Sequence, residues 1–136
     1  MRAGLTSGLV LLSLAGCSLG ADKEKARTEP AKGAPSEVAA TVEALDKAVQ
    51  GRDWRTVCDR LFTASARERA GGKDCPRLIG SSAGSLSGSR IELVDITLKK
   101  NGAEAKVRSR ARGQSALTDT LMLRRVRGGY RIDALR

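Results

Sequence analysis

The 136-residue chain has no histidine. This removes the commonest general base, the usual partner of a catalytic thiol, and the imidazole ligands that most zinc sites need to reach four. Aromatic side chains are nearly as scarce: Trp54, Phe62 and Tyr130 make up the whole 2%. The core must therefore be assembled from Leu, Ile, Val and Ala. Interleaved aromatic platforms of the kind that hold single-stranded nucleic acid are also excluded. The extended apolar segment near the start, Leu5 to Leu14, is interrupted by Ser7, Gly8 and Ser13. It falls short of the roughly 20 apolar residues a membrane-spanning helix requires. Acidic residues are in the minority, 15 Asp and Glu against 25 Lys and Arg, for a formal charge of +10. A balance of that sign suits nucleic acid, acidic polymers, an anionic membrane surface, or simply a well-solvated exterior.

Of what is present, the N-terminal segment says most about where the protein works. Arg2, a short apolar run and small residues lead to Leu14-Ala15-Gly16-Cys17, the layout of an export signal. The tetrapeptide resembles the lipobox of bacterial lipoproteins. The resemblance implies that Met1 to Gly16 is a signal peptide and that the Cys17 thiol carries a diacylglyceryl group. It places the chain on the extracytoplasmic side of the cell membrane. Two acyl chains suffice for stable anchoring where one does not. Nucleic acid is then an unexpected partner, and anionic lipid or wall polymer is the nearest acidic one. With Cys17 committed to lipid, Cys58 and Cys75 remain as an even pair in an oxidising compartment, which implies a disulfide between them. Residues 17–35 are small, charged and closed by Pro30 and Pro35. They read as the lipidated cysteine and a disordered tether, followed by one domain over residues 36–136.

The first half of that domain has helical spacing. Ser36 stands as a cap before Glu37, and Val38, Val42, Leu45 and Val49 form one apolar stripe. Glu43 and Lys47 are placed for an ion pair on the same helix, and Gln50-Gly51 stops it. Asp53 begins a second helix running to about Ala64, with Trp54, Val57, Leu61 and Phe62 inward. A further turn over Ser65 to Ala70 ends at Gly71-Gly72. Cys75-Pro76 opens a short helical turn to Ile79. Ser81 to Ser89 reads as a Gly/Ser-rich connection. It lacks the Lys-Ser/Thr ending of a phosphate loop.

The second half alternates. Arg90 to Lys99 is a strand, and Asn101-Gly102 is a hairpin signal. A turn centred there sets Leu98 against Ala105, Ile96 against Val107 and Val94 against Ser109 on the core face. It sets Lys99 against Glu104 and Asp95 against Arg108 on the other. Lys106, Arg108, Arg110 and Arg112 form a basic row on the outer face. Such a row commonly serves as a solvated, edge-guarding strand; arginines in a row can also bind phosphate or carboxylate groups bidentately. Leu117 to Arg127 is a third strand with Leu121 and Leu123 inward, its register left to a bulge. After Gly128 the chain ends with Tyr130 and Ile132 inward.

An amphipathic helical half followed by a meander ending Gly-Gly-Tyr-Arg-Ile-Asp-Ala-Leu resembles the nuclear-transport-factor-2-like, or cystatin-like, fold. The resemblance implies an α+β domain in which helices pack on a curved antiparallel sheet to form a cone. It carries over no catalytic residue, and a fold does not specify an activity. The expected role is a non-enzymatic binding or accessory module without cofactor or metal, with Arg108, Arg110, Arg112, Arg125 and Tyr130 as candidate binding residues. The alternative is a basic module lying on anionic lipid or wall polymer. An enzyme of this fold would need an inward carboxylate, for which Asp119 is the candidate if odd residues of the third strand face inward.

Overall fold

The computed structural model describes residues 33–136. The signal segment, Cys17 and nearly all of the tether lie outside the described residues. Helix α1, Ala34–Gln50, opens with Pro35 in its first turn, where the missing N–H costs nothing. Gly33 is the N-cap and makes no side-chain cap bond. Ser36 is thus a first-turn residue rather than the cap, and α1 takes in Ala34 and Pro35 at the tether's end. The stripe is as spaced: Val38, Val42 and Leu45 are buried and Val49 packs against the core. Each fully buried Val or Leu stabilises by about 1.5–3 kcal/mol. Lys47 Nζ lies 2.7 Å from Glu43.

Asp53 caps α2, Trp54–Thr56, through a bond from the Thr56 N–H. The expected long second helix then departs from α geometry. Val57–Leu61 is a π turn closed by Phe62 N–H to Val57 O at 3.0 Å. The wider turn buries Val57, Cys58 and Leu61 together. The helix ends there, rather than near Ala64, because Phe62 and Thr63 join the sheet. Phe62 bridges Ile132 in parallel, and the Thr63 N–H donates to Ile132 O at 2.9 Å. Thr63 then caps α3, Ala64–Arg69, by accepting from the Ala66 N–H. A 3-10 turn, Gly72–Asp74, leads to α4, Cys75–Ala83. Helix α4 runs past the expected Ile79 into the Gly/Ser stretch. The Ser81 and Ser82 hydroxyls donate back to the Arg77 and Leu78 carbonyls, a bond that lets serine sit inside a helix. Cys58 and Cys75 form the expected disulfide, with Cα atoms 6.1 Å apart. It pins α4 to the π turn.

Strands β1 (Arg90–Lys99), β2 (Gly102–Arg110), β3 (Leu117–Val126) and β4 (Gly129–Leu135) form an antiparallel sheet in the order β1-β2-β3-β4. Helix α1 packs chiefly on β1 and β4. The architecture is therefore α+β, helices on an antiparallel meander, as the cystatin-like resemblance implies. The core joins Val38, Val42 and Leu45 to Ala105, Val107, Leu121, Leu123 and Ile132.

The β1–β2 register is two residues from the expected one. Lys100-Asn101 is the turn, so Lys99 faces Gly102, Leu98 faces Ala103 and Ile96 faces Ala105. Gly102 is a strand residue because a Cβ there would lie 2.1 Å from the Leu123 carbonyl oxygen; the glycine serves close strand approach, not a left-handed turn. A shift of two keeps each side chain on its face, so Ile96 still packs against the core, but Leu98, expected inward, is exposed near the turn. A bulge at Val94 then resets the phase: Leu93 faces Val107 and Val94 is exposed. Asp95 lies opposite Lys106 and Glu92 opposite Arg108, in place of the Asp95–Arg108 pairing. Lys99 still reaches Glu104, diagonally, at 3.6 Å. The β2–β3 register is unbroken. The bulge instead falls between β3 and β4, where Asp133 is the extra residue.

Two polar bridges fasten α1 to the sheet. The buried Thr41 hydroxyl lies 3.0 Å from Glu37 O and 3.2 Å from Tyr130 O, sharing one proton between them. The Asp46 carboxylate accepts from the Ile91 N–H at 2.7 Å and from Gln50 at 2.6 Å. Ile91 lies on β1, an edge of the sheet, so Asp46 satisfies a donor that no strand reaches.

Candidate binding cavity

The apolar face of the sheet is longer than α1 can cover. Beyond Leu45 and Val49, residues of α2, α3 and α4 form one wall and the sheet the other. The space between them is a cavity of about 560 Å³, within the range of about 300–1,000 Å³ typical of small-molecule sites. Val107, Leu121 and Ile132 line its sheet side, and Trp54, Ile79 and Leu86 its helical side. Arg69, Arg90 and Arg110 stand around it, all exposed.

Trp54 fits because Gly80 of α4 has no side chain: a Cβ there would come within 2.9 Å of the indole. The disulfide beside it fixes the spacing of the two helices. Arg69 comes from the end of α3, and its guanidinium donates to the Ser65 hydroxyl and the Asp133 carbonyl. Asp133 is at the β4 bulge, where the extra residue turns its carboxylate toward Thr63. The Thr63 hydroxyl donates to it at 2.7 Å, and Arg124 lies 3.2 Å away. The Thr63 hydrogen bond, followed by the charges of Arg124 and Arg69, holds the Asp133 carboxyl below the usual carboxylate range. A carboxylate so stabilised is a weaker base.

A second, more polar compartment of about 310 Å³ adjoins the first. Val49, Trp54, Ala83, Leu86, Ser89 and Arg90 wall both. Gln50, Arg52, Ser87 and Gly88 complete the polar one. Arg52 has φ 54° and is the one non-glycine residue with positive φ among the described residues. It occupies the left-handed position of a Schellman motif, with Arg52 N–H to Val49 O at 3.2 Å and Asp53 N–H to Ala48 O at 2.8 Å. Glycine is usual at that position, and strain at such sites costs about 1–3 kcal/mol. Gly51, the expected helix stop, has φ −78°. The Arg52 guanidinium donates to Gly84 O at 3.2 Å and Leu86 O at 3.3 Å.

Of the residues singled out from the sequence, Arg110 is at the cavity, where Glu92 holds it in an ion pair. Arg108 is exposed on the outer face, opposite Glu92. Arg112 lies beyond β2, and its N–H donates to Ser87 O at 2.8 Å. Lys106 faces Asp95. The basic row is thus interleaved with the carboxylates of β1. Arg125 and Tyr130 form a pair elsewhere. The Arg125 guanidinium carbon sits 5.7 Å from the centre of the Tyr130 ring, a cation–π distance, and Tyr130 is core. Neither lines the cavity. Asp119 does, since odd residues of β3 do face inward beside Leu121 and Leu123. It is half-buried.

Arg52, Arg69, Arg90 and the apolar wall of α4 went unmarked in the sequence. No local sign marked Arg52, because Gly51 is the residue that a helix end would ordinarily place in the left-handed conformation. Among the described residues no three potential ligands cluster to hold a metal, and no helix is long and apolar enough to cross a membrane. No protein-family model matches the chain, and no curated protein matches it in sequence.

Proposed function

We propose that the protein is a lipid-anchored module of the bacterial cell envelope, held at the outer side of the membrane through Cys17, which binds a small apolar ligand and does not transform it. The cavity of about 560 Å³ carries this reading. A core of this size gains nothing from leaving Val107, Leu121 and Ile79 around unfilled space, since close packing is the norm for protein interiors. The lining supports binding over chemistry. It has no histidine, and its Asp133 is weakened as a base. The lipobox resemblance at Leu14 to Cys17 supports the anchor. The alternative, a basic surface lying on anionic polymer, draws less support because Glu92 and Asp95 break up the row.

The test uses the full chain with Cys17→Ser, which prevents lipidation, and the neutral fluorophore N-phenyl-1-naphthylamine. One molecule is expected to bind per chain, with enhanced emission. Val107→Phe, which fills the cavity from β2, is expected to weaken binding about tenfold while leaving the protein folded by circular dichroism. Unaltered binding in that folded variant contradicts the proposal.

A further inference from the structure

The two compartments share a wall and differ in chemistry. The larger is lined mainly by apolar side chains, with Arg69, Arg110, Asp119 and Asp133 also in its lining. The smaller presents two guanidinium groups, Arg52 and Arg90, with Gln50, Ser87 and Ser89, and none of its lining residues is acidic. Asp46 reaches Arg90 from outside this lining, at a long 3.8 Å. Among the described residues, the Arg52 side chain has only the carbonyls of Gly84 and Leu86 as hydrogen-bond acceptors. Carbonyls orient a guanidinium without neutralising it, and two contacts leave N–H donors free. The Arg52 backbone adds an independent observation. An arginine is held in a left-handed conformation that glycine would adopt without strain. Strained residues of this kind cluster at ligand-binding and active sites.

We infer that the paired compartments bind a single-chain amphiphile with an anionic head, a carboxylate or a phosphate monoester. The acyl chain lies in the cavity between Val107, Leu121 and Ile79. The head lies in the polar compartment against Arg52 and Arg90, with Trp54 at the junction. A planar guanidinium matches both head groups bidentately. A free fatty acid and a lysophosphatidate share this chemistry. The inference rests on the apolar-ligand reading above and adds the anionic head.

Trp54 is the sole tryptophan, so its emission reports occupancy without a label. The full chain with Cys17→Ser is titrated with tetradecanoate, tetradecanol and myristoyl lysophosphatidate, each kept below its micelle concentration. Tetradecanoate or the lysophosphatidate is expected to bind at least about tenfold more tightly than the alcohol, the scale of one charge-assisted contact. The better of the two anions identifies the source. Arg52→Gly relieves the backbone strain, so it is expected to fold. It should weaken the anions about tenfold and leave tetradecanol within about twofold, removing the preference. Arg52→Lys should restore part of it. If all three ligands bind alike, or if Arg52→Gly retains the preference, the anionic-head site is wrong and the apolar-ligand reading stands. If none binds, both fail.

Discussion

Gly102 stands where a side chain has no room. The atom a Cβ would meet is the Leu123 carbonyl oxygen, at 2.1 Å, and a paired strand cannot yield as a flexible side chain does. Gly102→Ala is therefore expected to lower stability by about 2 kcal/mol, an overpacking cost, measured as a reduced urea midpoint at unchanged slope. Asp133 gives a pH-dependent counterpart. Its carboxyl is held below its ordinary value, by the Thr63 hydroxyl first and then by Arg124. A depressed folded pKa adds stability that is complete above the unfolded value, near 3.9, and is lost as the pH falls through the folded value. Asp133→Asn should thus be less stable than the parent at pH 7, and the gap should narrow toward about pH 2. Urea unfolding at both pH values checks this; a gap independent of pH contradicts the assigned pKa. Neither role was legible in sequence. Asn101-Gly102 carries a turn signature, and close strand approach leaves the same glycine behind. Asp133 is set by a bulge, which no local pattern marks.

At the scale of elements, the helical corner depends on one covalent link. The Cys58–Cys75 disulfide spans a sequence separation of 17, for which loop closure contributes on the order of 3 kcal/mol. Cys58→Ala with Cys75→Ala is expected to lose about that much, by urea unfolding without reductant. The cavity should suffer before the sheet does, because α4 supplies Ile79 and supports Trp54 through Gly80. The stripe of α1 and the alternation of the strands were legible because each repeats over several turns or pairs. The ends and interruptions were not. The π turn at Val57–Leu61 exists because Phe62 and Thr63 pair with β4, seventy residues on by the Thr63–Asp133 bond. Long-range pairing of that kind overrides local spacing. The same applies to the β1 register: the two-residue shift changed the cross-strand partners, and the bulge at Val94 then turned Leu93 inward and Val94 outward.

Over the whole molecule, a meander of four strands and one long helix was readable because local patterns and the resemblance agreed. The cavity was not. Its walls come from α1, α2, the π turn, α3, α4, all four strands and the segment before β1, and no stretch of sequence holds more than a fragment of it. The arginines drew attention as a row on β2 because strand spacing makes rows visible. Of that row Arg110 reaches the cavity; the other guanidinium groups there come from a helix end, a strand start and a loop, brought together only by folding. Charge counted along the chain therefore pointed to the outer face, while the fold collects Arg52 and Arg90 at the rim of an apolar chamber. That chamber is the centre of this account, and the most direct test asks where an apolar ligand sits. The full chain with Cys17→Ser, carrying isotope-labelled methyl groups, is titrated with N-phenyl-1-naphthylamine and followed by NMR. The expected result is saturable shifts at the Val107, Leu121 and Ile79 methyls with Met122, on the outer face, unmoved. Shifts confined to Met122, or none at a saturating probe concentration, contradict it.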